Sequence, residues 1–310
     1  MDMKTILKSQ GPDLYKKLLV YIQDNTEQVR RGNKLSLSPA FDITSHVVEE
    51  FNQSSDLLEQ SMASYDSQDL YKSHALNVAI LALKMASDMD FSDEEIQDTL
   101  LAGLYHDVGF GKIMDSVQYE GIDIYLEDAK KKVLEHSEHG YNSILFENNR
   151  VKRIAEIIIQ HHERADGSGY PHGLEESEQL VPARIIAIVD TYESLIHPRP
   201  YRDALVPPRG IKVILEQKGT TYSGNLIKAL ISSFSIYPVG HFVRLNTNQV
   251  GKVIKTYQDN PVRPDVQIFF DRTGKKLGIP KVVKLKENHL VNIEECVPGL
   301  VGKMNVNNAS

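Results

Sequence analysis

Residues 151–171 read VKRIAEIIIQHHERADGSGYP. The first half is an apolar-faced helix, and the glycine-rich turn ending in Pro171 stops it. Across that boundary lie His161, His162, Glu163 and Asp166, side chains able to bind a metal or move protons. Neighbours on a regular helix point about 100° apart, so His161 and His162 converge on one point only near a helix end. The stretch therefore reads either as a solvated helix end or as one corner of a reaction centre. The rest of the chain decides between them.

Outward from this stretch, the pattern up to about residue 235 is overwhelmingly helical. FSDEEI at 91–96 is a start signal, with Ser92 as cap and Glu95 three residues on. That helix is expected to run to His106-Asp107, where Gly109 and Gly111 stop it. Ser38-Pro39 reads as an N-cap followed by proline at the first helical position. Beyond about residue 238 the segments HFVRL, GKVIKTY, VQIFFD and KVVKL are short and β-branched, and they read as strands. The expected architecture is mainly α, a helical bundle with a helical N-terminal segment (1–55), a central domain (56–237) and a small β-rich C-terminal extension (238–310).

The chain has 310 residues, enough for a large core, with 41% hydrophobic and 25% charged residues. Its net charge of −7 argues against a surface that coats a nucleic-acid polymer. A single cysteine, Cys296, excludes an intramolecular disulfide and fits a reducing compartment. The N-terminus lacks a signal-peptide core, and the most apolar window, HALNVAILALKMA at 74–86, is too short to span a bilayer. A cytoplasmic protein without a membrane partner is expected.

Of 11 histidines, five positions carry chemical promise. His74 lies on an apolar helix, His106-Asp107 closes the next one, His136 follows KKVLE, and His161-His162 open the quoted turn. Asp190 sits inside the apolar segment ARIIAIVDTYESLI. A lone histidine such as His74 is often a hydrogen-bonded core residue, but a carboxylate inside an apolar helix needs a cation or donors beside it. His139 reads as an exposed neighbour, and the other histidines read as structural or solvated. Nitrogen and oxygen ligands without thiolate fit iron, manganese or zinc. The set exceeds what one open catalytic site uses, and two metals sharing Asp107 accommodate it.

Several motifs in order resemble the HD-GYP family of metal-dependent phosphohydrolases: HALNVA at 74–79, LYHDVG at 104–109, HSEHG at 136–140, HHERADGSGYPHGL at 161–174, PARIIAIVDTYESL at 182–195 and RPYRDAL at 199–205. IYPVGHFVRLN and DNPVRPDV resemble the extension that often follows this domain. The resemblance implies an HD-type bundle that hydrolyses cyclic di-GMP to pGpG, and in some members onward to GMP, with two divalent ions, iron or manganese. It implies one ion held by His74, His106, Asp107 and Asp190 and a second by His136, His161 and His162, with Asp107 bridging and a metal-bound hydroxide attacking phosphorus. Many relatives carry lysine directly after HDIG, where it contacts phosphate; here Phe110 stands there and Lys112 lies two places on, which reads either as a shifted substitute with the same catalytic role or as weakened phosphate binding. Leu70 replaces the glutamate of three-metal members, which argues for two ions. Tyr170, Arg199 and Arg202 are then candidate substrate contacts, Arg199 and Arg202 reading equally as salt-bridge partners. Glu163 is a candidate orienter of a ligand imidazole and Asp166 a turn-former. Gly167 and Gly169 are expected to permit positive φ and close approach of substrate. A weak cyclic di-GMP receptor docking on GGDEF-type domains, and a hydrolase of another cyclic dinucleotide, are the alternative readings. The N-terminal helices are a candidate dimerisation element.

Overall fold

The computed structural model describes residues 3–63, 70–113, 127–199 and 202–297. Pro200 and Tyr201 of the RPYR segment, and residues 298–310 of the C-terminal segment, lie outside them. The chain forms two compact units, one of residues 1–204 with 217–227 and one of 205–216 with 228–310. In chain order the helices are α1 (Met3–Ile6), α2 (Gly11–Arg30), α3 (Ala40–Gln53), α4 (Asp56–Ala63), α5 (Leu70–Asp88), α6 (Asp93–Tyr105), α7 (Glu127–Leu134), α8 (His136–Ser143), α9 (Asn149–Gln160), α10 (Val181–Ile196), α11 (Pro207–Glu216) and α12 (Gly224–Phe234). A 3-10 helix, Val108–Lys112, follows α6.

In the first unit α5 is the central post, packed against α6 and α10 and also touching α2 and α4. Its residues from Ser73 to Leu83 are all buried, as expected of a helix that is apolar all round. Gly103 lets α6 approach closely, since a Cβ there would lie 2.8 Å from the Ala79 Cα. The Ser92–Glu95 capping box forms as expected and starts α6. The Ser38 cap does not form. Pro39 stands at the N-cap of α3, and the Ser38 hydroxyl instead donates to Glu147 Oε2 at 2.7 Å. Ser36 donates to the other oxygen of the same carboxylate at 2.6 Å, so Glu147 outcompetes the local cap. Among the described residues no helix is long and apolar enough to cross a membrane.

The second unit carries an antiparallel sheet of β1 (Phe242–Leu245), β2 (Val250–Lys255), β3 (Asp265–Phe270), β4 (Lys276–Lys284) and β5 (Ile293–Cys296), in the order β4-β3-β2-β1-β5. Val243, Leu245, Val253, Val266, Ile268 and Leu285 form its core. The four segments read as strands fall in β1 to β4. The fifth strand, IEEC, was not expected, because only Ile293 in it is buried and its pattern is polar.

Candidate metal centre

Five elements of the first unit deliver side chains to one place. His74 comes from the middle of α5, His106 and Asp107 from the end of α6, and His136 from the start of α8. His161 and His162 follow the last turn of α9, and Asp190 lies on α10. A helix leaves its last carbonyls without partners, and a histidine at the end can donate to them. His106 Nδ1 donates to Gly103 O at 2.7 Å and His161 Nδ1 to Ile158 O at 2.6 Å. His136 Nδ1 donates to Val133 O, at the end of α7, at 2.5 Å. Each bond places the proton on Nδ1 and turns the Nε2 lone pair inward, the arrangement of metal-binding imidazoles.

The donors fall into two groups: Asp107, His136, His161 and His162, and beside them His74, His106 and Asp190. Asp107 faces both. Its Oδ1 is 3.3 Å from His136 Nε2 and 3.8 Å from His161 Nε2, while its Oδ2 is 3.4 Å from His106 Nε2 and 3.8 Å from His74 Nε2. His74 Nε2 is also 3.1 Å from Asp190 Oδ1.

The donor set fits a cation on chemical grounds. His136 Nε2 lies 3.3 Å from His161 Nε2 and 3.2 Å from His162 Nε2, and one shared proton cannot satisfy three converging lone pairs. His106 Nε2 is buried without a hydrogen-bond partner. Burial, then the other imidazoles, pulls His161 down to about 3 and His162 well below the usual histidine range, so both stay neutral. Burial raises the Asp107 carboxyl, but His106, His136 and His74 outweigh it and hold it well below the usual range. For His161, His162 and Asp107 these are the protonation states that ligands require.

Behind His74 stands an acid the sequence reading did not single out. Glu193 Oε2 accepts from His74 Nδ1 at 2.5 Å, and its Oε1 accepts from Asn77 Nδ2 at 3.0 Å. Burial lowers His74, yet Glu193 and then Asp190 push it up to about 10, so a cation binding at Nε2 must displace a proton. The argument that picked Asp190 out of an apolar helix applies equally to Glu193, one turn on along α10.

The other expected site residues are placed as follows. Arg199 donates to Glu193 Oε2 at 2.9 Å, so its guanidinium neutralises that acid. Arg202 donates to the carbonyls of Ser194 and of Leu195, capping the end of α10. Lys112 is exposed, its ammonium 3.6 Å from where a Cβ on Gly32 would stand, just past α2. Of the three, Arg199 alone reaches a donor group, its guanidinium nitrogen 3.1 Å from His74 Nδ1, the ring nitrogen that faces Glu193, while Arg202 finds carbonyls and Lys112 solvent. Phe110 is at the centre instead. Its ring stacks on His136 with centroids 4.3 Å apart, and Tyr71 meets it edge-on at 6.1 Å. The Tyr71 hydroxyl donates to the Asp107 carbonyl at 2.7 Å.

Tyr170 stacks on His162 with centroids 4.7 Å apart. Burial, with Asp190 and Asp107 nearby, raises its phenol well above the usual range, so it remains a donor. Glu163 does not touch an imidazole. It accepts from His172 N at 2.7 Å and Leu174 N at 2.9 Å, tying down the turn that carries Tyr170. Asp166 accepts from the Ser168 amide and hydroxyl within the turn. Gly167 has φ +74°, whereas Gly169 is needed for backbone packing: a Cβ there would stand 2.4 Å from Glu163 Cα. The close approach is chain to chain. Replacing Glu163 with Gln turns one buried acceptor into a donor facing an amide N–H. Chemical denaturation is expected to show a loss of about 1–3 kcal/mol.

A helical bundle that gathers imidazoles and carboxylates from five elements around a shared aspartate is a metal-binding domain. The chain belongs to the HD domain family, whose model matches residues 55–226, and a KOW domain associated with HD domain matches 242–299. It is 25% identical over 254 residues to the cyclic di-GMP phosphodiesterase PA4108 of Pseudomonas aeruginosa, covering 82% of this chain and 61% of that protein. It is 31% identical over 148 residues to the cyclic di-GMP phosphodiesterase response regulator RpfG of Xanthomonas campestris, covering 47% of this chain and 39% of that protein. A 3'3'-cGAMP-specific phosphodiesterase of Vibrio cholerae is 29% identical over 161 residues, covering 51% of this chain and 30% of that protein. The chain thus spans less than two thirds of the length of each of these relatives. Bd1817, a HDG"Y"P protein from Bdellovibrio bacteriovorus, shares the fold with a TM-score of 0.57 at 17% identity, over 74% of this chain and 75% of that one.

Proposed function

We propose that this chain is a cyclic di-GMP phosphodiesterase that opens the ring to pGpG, using two divalent ions, iron or manganese. The observation that carries the reading is the placement of Asp107, whose two carboxylate oxygens face two separate donor groups. His74, His106, Asp107 and Asp190 would hold one ion, and Asp107, His136, His161 and His162 the other. Ions held there would supply an activated water and charge neutralisation at the phosphate oxygens. The chain's own part is to aim the donors. The Nδ1 bonds lock three rings, and Glu193 locks the fourth. Tyr170, kept protonated, is placed to donate to a phosphate oxygen.

The relatives named for cyclic di-GMP support this substrate, and those named for 3'3'-cGAMP favour a cyclic dinucleotide more widely. A second reading, a receptor with weak catalysis, is favoured by Lys112, which is exposed, by Arg202, which is spent on carbonyls, and by Arg199, which is engaged by Glu193 and His74. Purified protein loaded anaerobically with Fe(II), or with Mn(II), is incubated with cyclic di-GMP and with 3'3'-cGAMP, and products are separated chromatographically. Linear pGpG is expected with metal, and its formation is expected to stop after chelation. Binding without product under any metal would establish the receptor instead.

A further inference from the structure

The matched HD domain begins at residue 55, yet α2, at residues 11–30, reaches the centre through three hydroxyls. The Tyr21 hydroxyl is 2.7 Å from that of Tyr105, the residue before His106. The Thr26 hydroxyl is 3.3 Å from that of Tyr71, which holds the Asp107 carbonyl. Tyr15 goes further. Its hydroxyl donates to Asn77 Oδ1 at 2.6 Å, Asn77 Nδ2 donates to Glu193 Oε1 at 3.0 Å, and Glu193 Oε2 meets His74 Nδ1 at 2.5 Å. All four side chains are at least nine-tenths buried.

The direction of this chain of bonds is fixed by its chemistry. The carboxylate only accepts, so Asn77 must turn its amino group to Glu193. Its carbonyl then points at α2 and needs a buried donor, which the Tyr15 phenol supplies. With Asn77 reversed, two oxygens would face each other at the Glu193 contact. Glu193 in turn holds the Nδ1 proton of His74 and so fixes where Nε2 points. Partners of this kind behind a ligand typically change metal affinity by about 10–100-fold.

We propose that Tyr15, on the N-terminal helix outside the matched domain, is a positioning residue for the metal centre, acting through Asn77 and Glu193 on the His74 imidazole. The inference rests on the metal-binding reading of the site and not on its substrate. It makes α2 part of the working site rather than a separate input segment.

Tyr15→Phe keeps the ring in the core and removes only the hydroxyl. The metal-free 310-residue chain is titrated with Co(II), following the visible spectrum, and with Mn(II) against a chelator. Relative to wild type, Tyr15→Phe is expected to weaken one of two binding steps by about 10-fold, with the other step unchanged. Glu193→Gln is expected to weaken the same step more, and the double variant no more than Glu193→Gln alone, because both act through one path. Wild-type affinity at both steps in Tyr15→Phe overturns the proposal, as do additive losses in the double variant. A lower melting temperature with unchanged metal affinity also overturns it, since that is the mark of a merely structural hydroxyl. Wild type that takes up no metal overturns the centre itself, and the proposal with it. If Tyr15→Phe does not fold, Asn77→Asp, which sets a second carboxylate against Glu193, must weaken the same step; unchanged affinity there refutes the chain of bonds.

Discussion

Asp107→Ala is expected to remove cyclic dinucleotide turnover by at least about 10³-fold, the upper range for loss of one electrostatic donor at a reacting oxygen. The expectation is that large because Asp107 belongs to both donor groups, each through its own oxygen. Without it, three imidazoles on one side keep no carboxylate at all, and His74 and His106 keep only Asp190. Metal analysis should fall from two ions per chain to one or none. Folding can be read separately. Tyr71 holds the main-chain carbonyl of Asp107, not its side chain, so alanine leaves that anchor in place. The imidazoles around the carboxylate outweigh its burial, so the metal-free variant is expected to melt somewhat below the metal-free wild type. It should also lack the rise in melting temperature that metal gives wild type by mass action. A variant that keeps two ions and wild-type turnover would refute the shared-aspartate centre.

The features legible in the sequence were those whose cause is local. The capping box at Ser92 and Glu95 involves residues three apart and formed as expected. The imidazoles at helix ends were legible because a glycine turn and an apolar face mark such ends in the chain. Long charged side chains were not legible, because their destinations are tertiary. Arg199 and Arg202 sit in a motif that invites a phosphate, yet one neutralises Glu193 and the other caps α10. Glu163 adjoins two imidazoles and reaches instead for amides 9 and 11 residues on. Tyr15 looks like any apolar-face aromatic of an amphipathic helix, and only the fold shows that its hydroxyl meets an asparagine 62 residues away. Strand β5 was missed for a related reason, since its pairing with β1 rather than its composition makes it a strand.

The second large effect concerns a residue with no functional group. Gly109 closes the HDVG stretch in the 3-10 helix, which packs on α8. A Cβ at this position would stand 1.9 Å from His136 O, 2.4 Å from Gly140 N and 2.9 Å from His136 C. All three are main-chain atoms, so no side-chain rotation relieves the clash, and α8 must move as a body or the 3-10 helix must unwind. Either response displaces His136, whose ring is held between Val133 O on one side and Phe110 on its face. Overpacking in a core costs typically about 1–3 kcal/mol, and a rigid backbone contact at 1.9 Å belongs at or above the top of that range. Gly109→Ala is thus expected to lower unfolding free energy by about 3 kcal/mol or more in the metal-free protein. It should also weaken the ion held by His136, His161 and His162. Gly278→Ala is the matching control, because nothing lies within 4 Å of a Cβ there, and its effect should stay within about 0.5 kcal/mol. Equal unfolding curves for the two variants would show that α8 does not lean on the HDVG turn. The position of His136 would then need another explanation.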